Sequence, residues 1–208
     1  MGRQGKHEVE AKDAQTPAPR LSLVVLSGPS GVGKTTVCRE VASRLGLVES
    51  ISATTRQIRP GEKKGVDYYF LSREEFERRL DAGRFVEWAE VFGHLYGTPV
   101  EELERARAAG QTLLLEIDVQ GGIRIRQKFP EALAILLLPP EPQALRARLA
   151  RRGTEAPEEA EQRLAKAAEE VATARAAGCY DAEVVNDDLG AAINQVVSLI
   201  ETWRKRND

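Results

Sequence analysis

A short glycine-rich stretch contains the residues of this chain best suited to chemistry. Residues 28–35 read Gly-Pro-Ser-Gly-Val-Gly-Lys-Thr, which is the spacing of a phosphate-binding loop. Glycines let successive backbone N–H groups turn toward phosphate oxygens, and the N-terminus of a following helix adds partial positive charge. Lys34 places a full charge on the outer phosphates, and the Thr35 hydroxyl suits Mg²⁺. The stretch predicts binding of a nucleoside triphosphate with Mg²⁺ by Gly28, Pro29, Ser30, Gly31, Val32, Gly33, Lys34, Thr35 and Thr36.

The residues on either side of this loop supply the context that the motif needs. Residues 21–27 are an apolar run typical of a buried strand, and a helix is predicted from Thr36 onward. A chance match in a surface turn would lack this order of strand, turn and helix. GTPases, motor ATPases and small-molecule kinases all share the loop, so it does not by itself name a reaction.

The elements that must position the loop follow an alternating pattern. The runs 112–118 and 134–138 are almost wholly apolar, as expected for parallel strands buried on both faces, and 119–129 between them is predicted to be a helix. This alternation predicts an α/β fold with a doubly wound parallel sheet flanked by helices. The remaining predictions for this sheet are strands at 47–53 and 182–186 and helices at 158–177 and 189–203.

Residues 54–98 differ in composition and predict a small mixed α/β lobe inserted into the larger domain. The segment begins polar, basic and glycine-rich, and strands are predicted at 68–71 and 84–89. Ser72 and Glu75 have the spacing of a capping box, which predicts a helix to about Asp81. Thr98 and Pro99 repeat the capping pattern and predict another helix at the end of the lobe.

The bulk properties exclude several classes of protein. The 208 residues suit one domain, and 30 basic residues nearly balance 32 acidic ones, unlike the basic surface of a nucleic-acid-binding protein. No apolar run approaches a membrane span, and residues 1–20 are expected to be a disordered tail, not a signal peptide. Cys38 and Cys179 match no metal or redox spacing, and Cys38 is predicted to be buried. We predict a cytoplasmic protein with no nucleic-acid or membrane partner; oligomeric state is not predicted.

Arginine and tyrosine residues of the lobe indicate a second phosphate site. Arg56 and Arg59 can grip a phosphate with their forked donors, although a solvated basic turn is the alternative. Tyr68 and Tyr96 offer hydroxyls to the same phosphate, and the alternative is that they are ordinary half-buried aromatics.

Glu87 stands inside an apolar run, between Val86 and Trp88. A buried carboxylate is costly, but it could accept the N1–H and exocyclic amino protons of guanine. Adenine has no proton on N1 and would not satisfy it. The alternative is that strand alternation places Glu87 on the solvent face. Ser52 and Thr98 are small hydroxyls that could donate to guanine O6.

The ordered set of motifs resembles the guanylate kinase family. The matching segments cover roughly residues 21–205 in unbroken order: Ser-Ala-Thr-Thr-Arg at 52–56, Arg-Pro-Gly-Glu at 59–62, Gly-Val-Asp-Tyr-Tyr-Phe at 65–70, Phe-Val-Glu-Trp-Ala at 85–89, Tyr-Gly-Thr-Pro at 96–99, Glu-Ile-Asp-Val-Gln-Gly at 116–121, Arg-Gly-Thr-Glu at 152–155 and Val-Asn-Asp-Asp-Leu at 185–189. The resemblance implies a P-loop NTPase fold with an inserted GMP-binding lobe and a short helical lid. It implies core segments at 21–53, 99–145 and 166–208, the lobe at 54–98 and the lid at 146–165.

The resemblance also implies roles for individual residues. It places the GMP phosphate on Arg56, Arg59, Tyr68 and Tyr96, the guanine on Ser52, Glu87 and Thr98, and Glu116 and Asp118 toward GMP and the magnesium shell. It implies that Arg148, Arg152 and Arg163 act in catalysis with Lys34 and Arg56, and that Asn186 helps to hold adenine.

The implied reaction is transfer of the γ-phosphoryl group of MgATP to GMP or dGMP. A kinase of ribose 1,5-bisphosphate would leave Glu87 and Ser52 with no base to read. Non-catalytic guanylate-kinase-like binding modules usually have a degraded phosphate loop, and here it is intact. Thymidylate or adenylate kinases would need other base contacts, and no Asn-Lys-x-Asp guanine motif of regulatory GTPases is present.

Overall fold

The computed structural model describes residues 21–141 and 157–207, with the backbone alone for 157–163. The predictions for the tail 1–20 and for Arg148 and Arg152 lie outside the described residues, as does the side chain of Arg163. In chain order the described elements are β1 (Ser22–Ser27), α1 (Lys34–Leu45), β2 (Val48–Glu49), β3 (Ala53–Thr54), β4 (Tyr69–Phe70), α2 (Arg73–Asp81), β5 (Phe85–Val91), β6 (His94–Pro99), α3 (Val100–Ala108), β7 (Thr112–Ile117), α4 (Val119–Lys128), β8 (Leu133–Leu138), α5 (Pro157–Ala177), β9 (Ala182–Val185) and α6 (Leu189–Asn207).

A five-stranded parallel sheet forms the centre of the molecule, in the order β2-β7-β1-β8-β9. Its middle strand, β1, is buried on both faces because helices cover both. Val24 lies in one buried cluster with Val37 of α1, and Val25 lies in another with Leu103 of α3. This arrangement confirms the α/β fold predicted from the apolar runs. Within the described ranges, no helix combines the length and the apolar character needed to cross a membrane.

A second, four-stranded sheet has the order β4-β3-β6-β5 and is mixed in direction. Helix α2 packs on it through Phe76, whose ring stacks on Phe85 with centroids 4.3 Å apart. Half of the predicted capping box is present: the Ser72 hydroxyl accepts from the Glu75 N–H at 3.1 Å, whereas the Glu75 carboxylate accepts from Arg78 and Arg79. Of the residues predicted to bind the second phosphate, Tyr96 lies on β6, and the others lie in the connection between β3 and β4.

Two local predictions were wrong, and both errors fall where the chain passes between the sheets. Residues 47–53 are not one strand: β2 belongs to the parallel sheet and β3 to the mixed sheet. The last hydrogen bond of this segment to β7 is from the Ser50 N–H to Leu114 O, at 3.0 Å. Beyond Ser50 the chain turns away from the parallel sheet, so 47–53 cannot form one strand. Helix α3 begins at Val100 with Pro99 as its N-cap, and the Thr98 side chain does not cap it. The Thr98 hydroxyl is used instead by Glu87.

Candidate active site

The phosphate loop joins β1 to α1 and depends on glycine at several positions. Gly31 and Gly33 have φ angles of 83° and 99°, which only glycine adopts easily. At Gly28 a Cβ atom would lie 2.2 Å from the carbonyl oxygen of Leu137 in β8. The loop therefore curls tightly against the end of the parallel sheet, and Gly33 directly precedes the first helical residue of α1. Backbone N–H groups at such a helix start favour an anion.

Lys34 and Thr35, at the end of the loop motif, lie in the first turn of α1 and are already oriented by hydrogen bonds. The Lys34 ammonium group donates to the carbonyl oxygens of Gly28 and Pro29, at 2.6 and 3.0 Å, so it arches over the loop. The Thr35 hydroxyl donates to Glu116 Oε1 at 2.6 Å. Glu116 lies on β7, the neighbour of β1, and this brings a carboxylate and a hydroxyl together beside the loop. Both are hard oxygen ligands of the kind that Mg²⁺ prefers.

Asn186 lies directly behind the loop. Its side-chain amide donates to Val32 O at 2.8 Å, and its nitrogen is 2.7 Å from the position of a Cβ on Gly33. The residue is buried. Asn186 therefore braces the phosphate loop, and its contact with adenine stays a prediction.

Glu87 is buried, with 6% of its surface exposed, so the alternative that places it on the solvent face is wrong. The reason is a β-bulge: the pairing register of β5 with β6 shifts between Phe85 and Glu87. Phe85, Val86 and Glu87 are all buried as a result, and alternation resumes at the exposed Trp88. The bulge turns the carboxylate inward and away from water.

The two oxygens of the Glu87 carboxylate have different surroundings: Oε1 is hydrogen-bonded by Thr98, and Oε2 lies at the start of α4. Oε1 accepts from the Thr98 hydroxyl at 2.7 Å and the Thr98 N–H at 3.1 Å. Burial raises the pKa of Glu87 to about 7, the Thr98 hydroxyl lowers it, and Asp118 adds to the rise. Among the described residues, none donates a hydrogen bond to Oε2, which faces Gly121. The group is a preformed acceptor that titrates near neutral pH.

Gly121 is a site residue that the sequence reasoning did not single out. A Cβ at this position would lie 2.8 Å from Glu87 Oε2 and 3.2 Å from Asp118 Oδ1. Asp118 caps α4 by accepting the Gly121 N–H at 2.7 Å. The glycine therefore lets the helix start approach the Glu87 carboxylate closely. Its signals in the sequence were its place in the matching segment 116–121 and in a run of two glycines after a strand.

The predicted phosphate arginines differ in their surroundings. Arg56 is buried and pairs with both oxygens of Glu62, at 2.8 and 2.9 Å, with its guanidinium 5.3 Å from the centre of the Tyr68 ring. Burial acts to lower the pKa of Arg56, but the hydrogen bonds that its guanidinium donates to Glu62 and Tyr96 outweigh burial and raise the pKa. Arg59 is exposed, and its backbone N–H donates to the same Glu62 carboxylate at 2.8 Å. Glu62, which sequence reasoning also missed, thus fixes the turn that carries both arginines.

Tyr68 and Tyr96 lie together beside Arg56, with ring centroids 6.0 Å apart and nearly perpendicular planes. Burial raises the pKa of Tyr68 to about 12, and Glu116 adds to the rise, so its hydroxyl keeps its proton. Ser52 is half-buried at the entry to β3, where its carbonyl oxygen accepts the Tyr69 N–H at 2.9 Å. The structure thus forms two groups of predicted acceptor residues, Arg56 with Tyr68 and Tyr96, and Glu87 with Thr98. Their roles stay predictions.

Comparison with known proteins assigns this chain to a family. The family model described as guanylate kinase matches residues 20–203. The chain belongs to the guanylate kinase family. It is 47% identical to a guanylate kinase of Symbiobacterium thermophilum over 189 residues, covering 90% of this chain and 88% of the relative. It is also 47% identical to a guanylate kinase of Gloeobacter violaceus over 192 residues, covering 91% and 92%.

Solved structures agree with this membership of the guanylate kinase family. The crystal structure of a guanylate kinase from Anaplasma phagocytophilum matches with a TM-score of 0.71 and 34% identity, covering 89% of this chain and 86% of that one. A shikimate kinase from Bacteroides thetaiotaomicron matches at 14% identity with a TM-score of 0.50, covering 88% and 99%, which shows a shared fold alone. The family, the fold and the kinase class predicted from the sequence are confirmed.

Proposed function

We propose that this chain transfers the γ-phosphoryl group of ATP to GMP, and also to dGMP, giving ADP and the nucleoside diphosphate. The observation that carries this proposal is the Glu87 carboxylate, buried and fixed by Thr98, with Oε2 at the start of α4. Guanine presents two adjacent N–H donors to such an acceptor, whereas adenine presents an unprotonated N1. Relatives named guanylate kinase, at nearly half identity and close to full coverage, support the same acceptor.

The proposed mechanism needs alignment and charge neutralisation rather than a covalent intermediate. The acceptor phosphate oxygen is already a competent nucleophile at neutral pH. Arg56, with Arg59, Tyr68 and Tyr96, holds that phosphate, and Lys34 with the loop N–H groups holds the donor. The predicted lid arginines Arg148, Arg152 and Arg163 neutralise the charge that spreads over the transferred group. Closure of the lobe and lid excludes water, which would otherwise hydrolyse ATP.

The Thr35 hydroxyl and the Glu116 carboxylate fit a magnesium ion, because both are hard oxygen donors and they lie 2.6 Å apart beside the loop. Bound there with the phosphates, Mg²⁺ would neutralise charge on the β- and γ-oxygens. The described residues contain no cluster of three or more His, Cys, Asp or Glu suited to a metal.

A coupled assay of ADP release tests the proposal, with MgATP as donor and GMP, dGMP, AMP, UMP, dTMP and ribose 1,5-bisphosphate offered in turn. We expect turnover only with GMP and dGMP. Turnover of ribose 1,5-bisphosphate would keep the donor site and overturn the acceptor assignment. Binding of ATP without turnover of any acceptor would favour a non-catalytic binding module.

A further inference from the structure

Glu102 is a buried acid that the proposed mechanism does not use. It lies in the first turn of α3 and only 3% of its surface is exposed. A carboxylate is costly to bury without partners. Its oxygens accept from the Ile51 N–H at 3.0 Å, the Tyr69 hydroxyl at 3.2 Å and the Arg105 guanidinium at 2.8 Å. Arg105 is half-exposed and lies on the same helix, so the informative partners are Ile51 and Tyr69.

These two partners lie where the chain enters the mixed sheet. The Ser50 N–H is still held by Leu114 O of the parallel sheet, at 3.0 Å. The next but one residue, Ser52, already pairs with β4, because its carbonyl oxygen accepts the Tyr69 N–H at 2.9 Å. Ile51 is therefore the single residue between the two sheets, and its N–H goes to Glu102.

The helix that carries Glu102 is anchored in the core and lies where the chain leaves the mixed sheet. Leu103 and Ala106 of α3 pack in one buried cluster with Val25 of β1. Thr98, four positions before Glu102, pairs with Glu87 in the mixed sheet. The Glu102 carboxylate thus connects α3, which follows the mixed sheet, with Ile51, which precedes it, and through Tyr69 with strand β4.

We propose that Glu102 is a positioning residue that fixes the orientation of the acceptor lobe relative to the phosphate loop. Its bond to Ile51 holds the segment that runs through Ser52 toward Arg56, and its bond to Tyr69 holds β4. Loosening either bond lets the lobe sample orientations in which GMP does not bind productively. The donor site, built on β1 and α1, does not depend on these contacts. The kinetic part of this inference rests on the proposed function.

The test compares Glu102→Ala, Glu102→Gln and Tyr69→Phe with the control Glu101→Ala. Glu101 is the preceding residue of α3 and its partner Arg84 lies on the surface. For Glu102→Ala we expect the KM for GMP to rise about tenfold, and for Tyr69→Phe about threefold, with the KM for ATP unchanged. In Glu102→Gln the KM for GMP should stay close to that of the unaltered protein. The Gln side-chain oxygen can accept from the Ile51 N–H, and its amide NH2 can donate to the Tyr69 hydroxyl. Glu101→Ala should behave as the unaltered protein.

Amide hydrogen exchange supplies a readout that is independent of turnover. In Glu102→Ala the Ile51 N–H should exchange faster, while the Ser50 N–H, held by Leu114, should keep its rate. If the unaltered protein does not phosphorylate GMP, the proposed function fails, and this exchange comparison still decides the role of Glu102.

Two results would overturn the inference. One is an unchanged KM for GMP in the folded Glu102→Ala variant, and the other is an equal rise in the KM values for GMP and ATP. If Glu102→Ala does not fold, Tyr69→Phe decides, since it leaves the Ile51 and Arg105 contacts intact. An unchanged KM for GMP in that variant would overturn the proposal in the same way.

Discussion

The phosphate loop takes its groups from one short stretch of chain. The group formed by Glu87, Thr98, Asp118 and Gly121, called the Glu87 pocket below, takes them from several elements. The loop, residues 28–36, follows strand β1 of the parallel sheet and runs into helix α1. The pocket combines the bulged strand β5, its antiparallel neighbour β6, both of the mixed sheet, and the start of α4, which follows strand β7 of the parallel sheet. The loop is therefore built by local backbone geometry, and the pocket by the way the two sheets are held together. Substitutions should separate these two kinds of site.

Lys34→Met should have the largest effect, because it removes the donor-site charge and leaves the pocket intact. We expect kcat to fall about 10²–10³-fold while the dissociation constant for GMP stays unchanged. Steady-state kinetics and titration calorimetry with GMP measure the two quantities. Lys205→Met, at an exposed position of α6, serves as the control. A matching loss of GMP affinity would show that the two sites are not independent.

How far each site could be predicted from the sequence follows from the same difference. The loop was visible because its glycines and Lys34 are contiguous. Glu87 was noticeable as a carboxylate in an apolar run, but simple alternation left its direction open, and the bulge that decides it has no sequence signature. No role was predicted for Gly121 or Glu62. Gly121 acts through its close approach to Glu87, which is distant in sequence, and Glu62 acts through its pairing with Arg56 across a turn. The parallel strands were predictable from composition, whereas the division of 47–53 between two sheets depends on tertiary pairing.

Gly121→Ala should have the next largest effect, this time on the acceptor side. The added Cβ lies 2.8 Å from Glu87 Oε2, so the carboxylate or the helix start must move. We expect the KM for GMP to rise roughly 10–100-fold with the KM for ATP unchanged. Gly190→Ala is the control, because its closest contact would be 3.3 Å, to Asp188 Oδ1, away from the pocket. Equal effects of the two substitutions would contradict the close-approach role of Gly121.

Titration of Glu87 should make the acceptor site alone sensitive to pH. With its pKa raised to about 7, the carboxyl group is largely protonated at pH 6 and accepts guanine N–H groups poorly. We expect kcat/KM for GMP to rise between about pH 6 and 8, beyond the change due to the phosphate of GMP itself. The variant Glu87→Gln keeps the titration of GMP and should lose the additional rise. An identical pH profile in both proteins would show that Glu87 does not read the base.

The same pKa predicts a cost in stability. A carboxyl whose pKa is raised on folding stabilises the folded state fully below its ordinary pKa, and this contribution is lost as pH rises to about 7. At pH 8 the buried charge should therefore cost roughly 2–4 kcal/mol relative to pH 4. Thermal unfolding of Glu87→Gln should show an advantage over the unaltered protein that grows from pH 5 to pH 7.5. A constant difference would mean that Glu87 has the same pKa in the folded and the unfolded protein, so that folding does not raise it.

Glu62→Gln should have the smallest effect and sharpens the comparison within the acceptor lobe. The substitution keeps the shape of the side chain but weakens its paired contact with Arg56 and its contact with the Arg59 N–H. Because the arginine remains present and only its orientation is released, we expect the KM for GMP to rise about 3–10-fold. The dissociation constant for guanosine, which has no phosphate, should stay unchanged, and this separates phosphate binding from base binding. If guanosine and GMP lose affinity equally, Glu62 supports the whole lobe. The site for the GMP phosphate then depends on the same tertiary contacts as the Glu87 pocket and is not built by local backbone geometry.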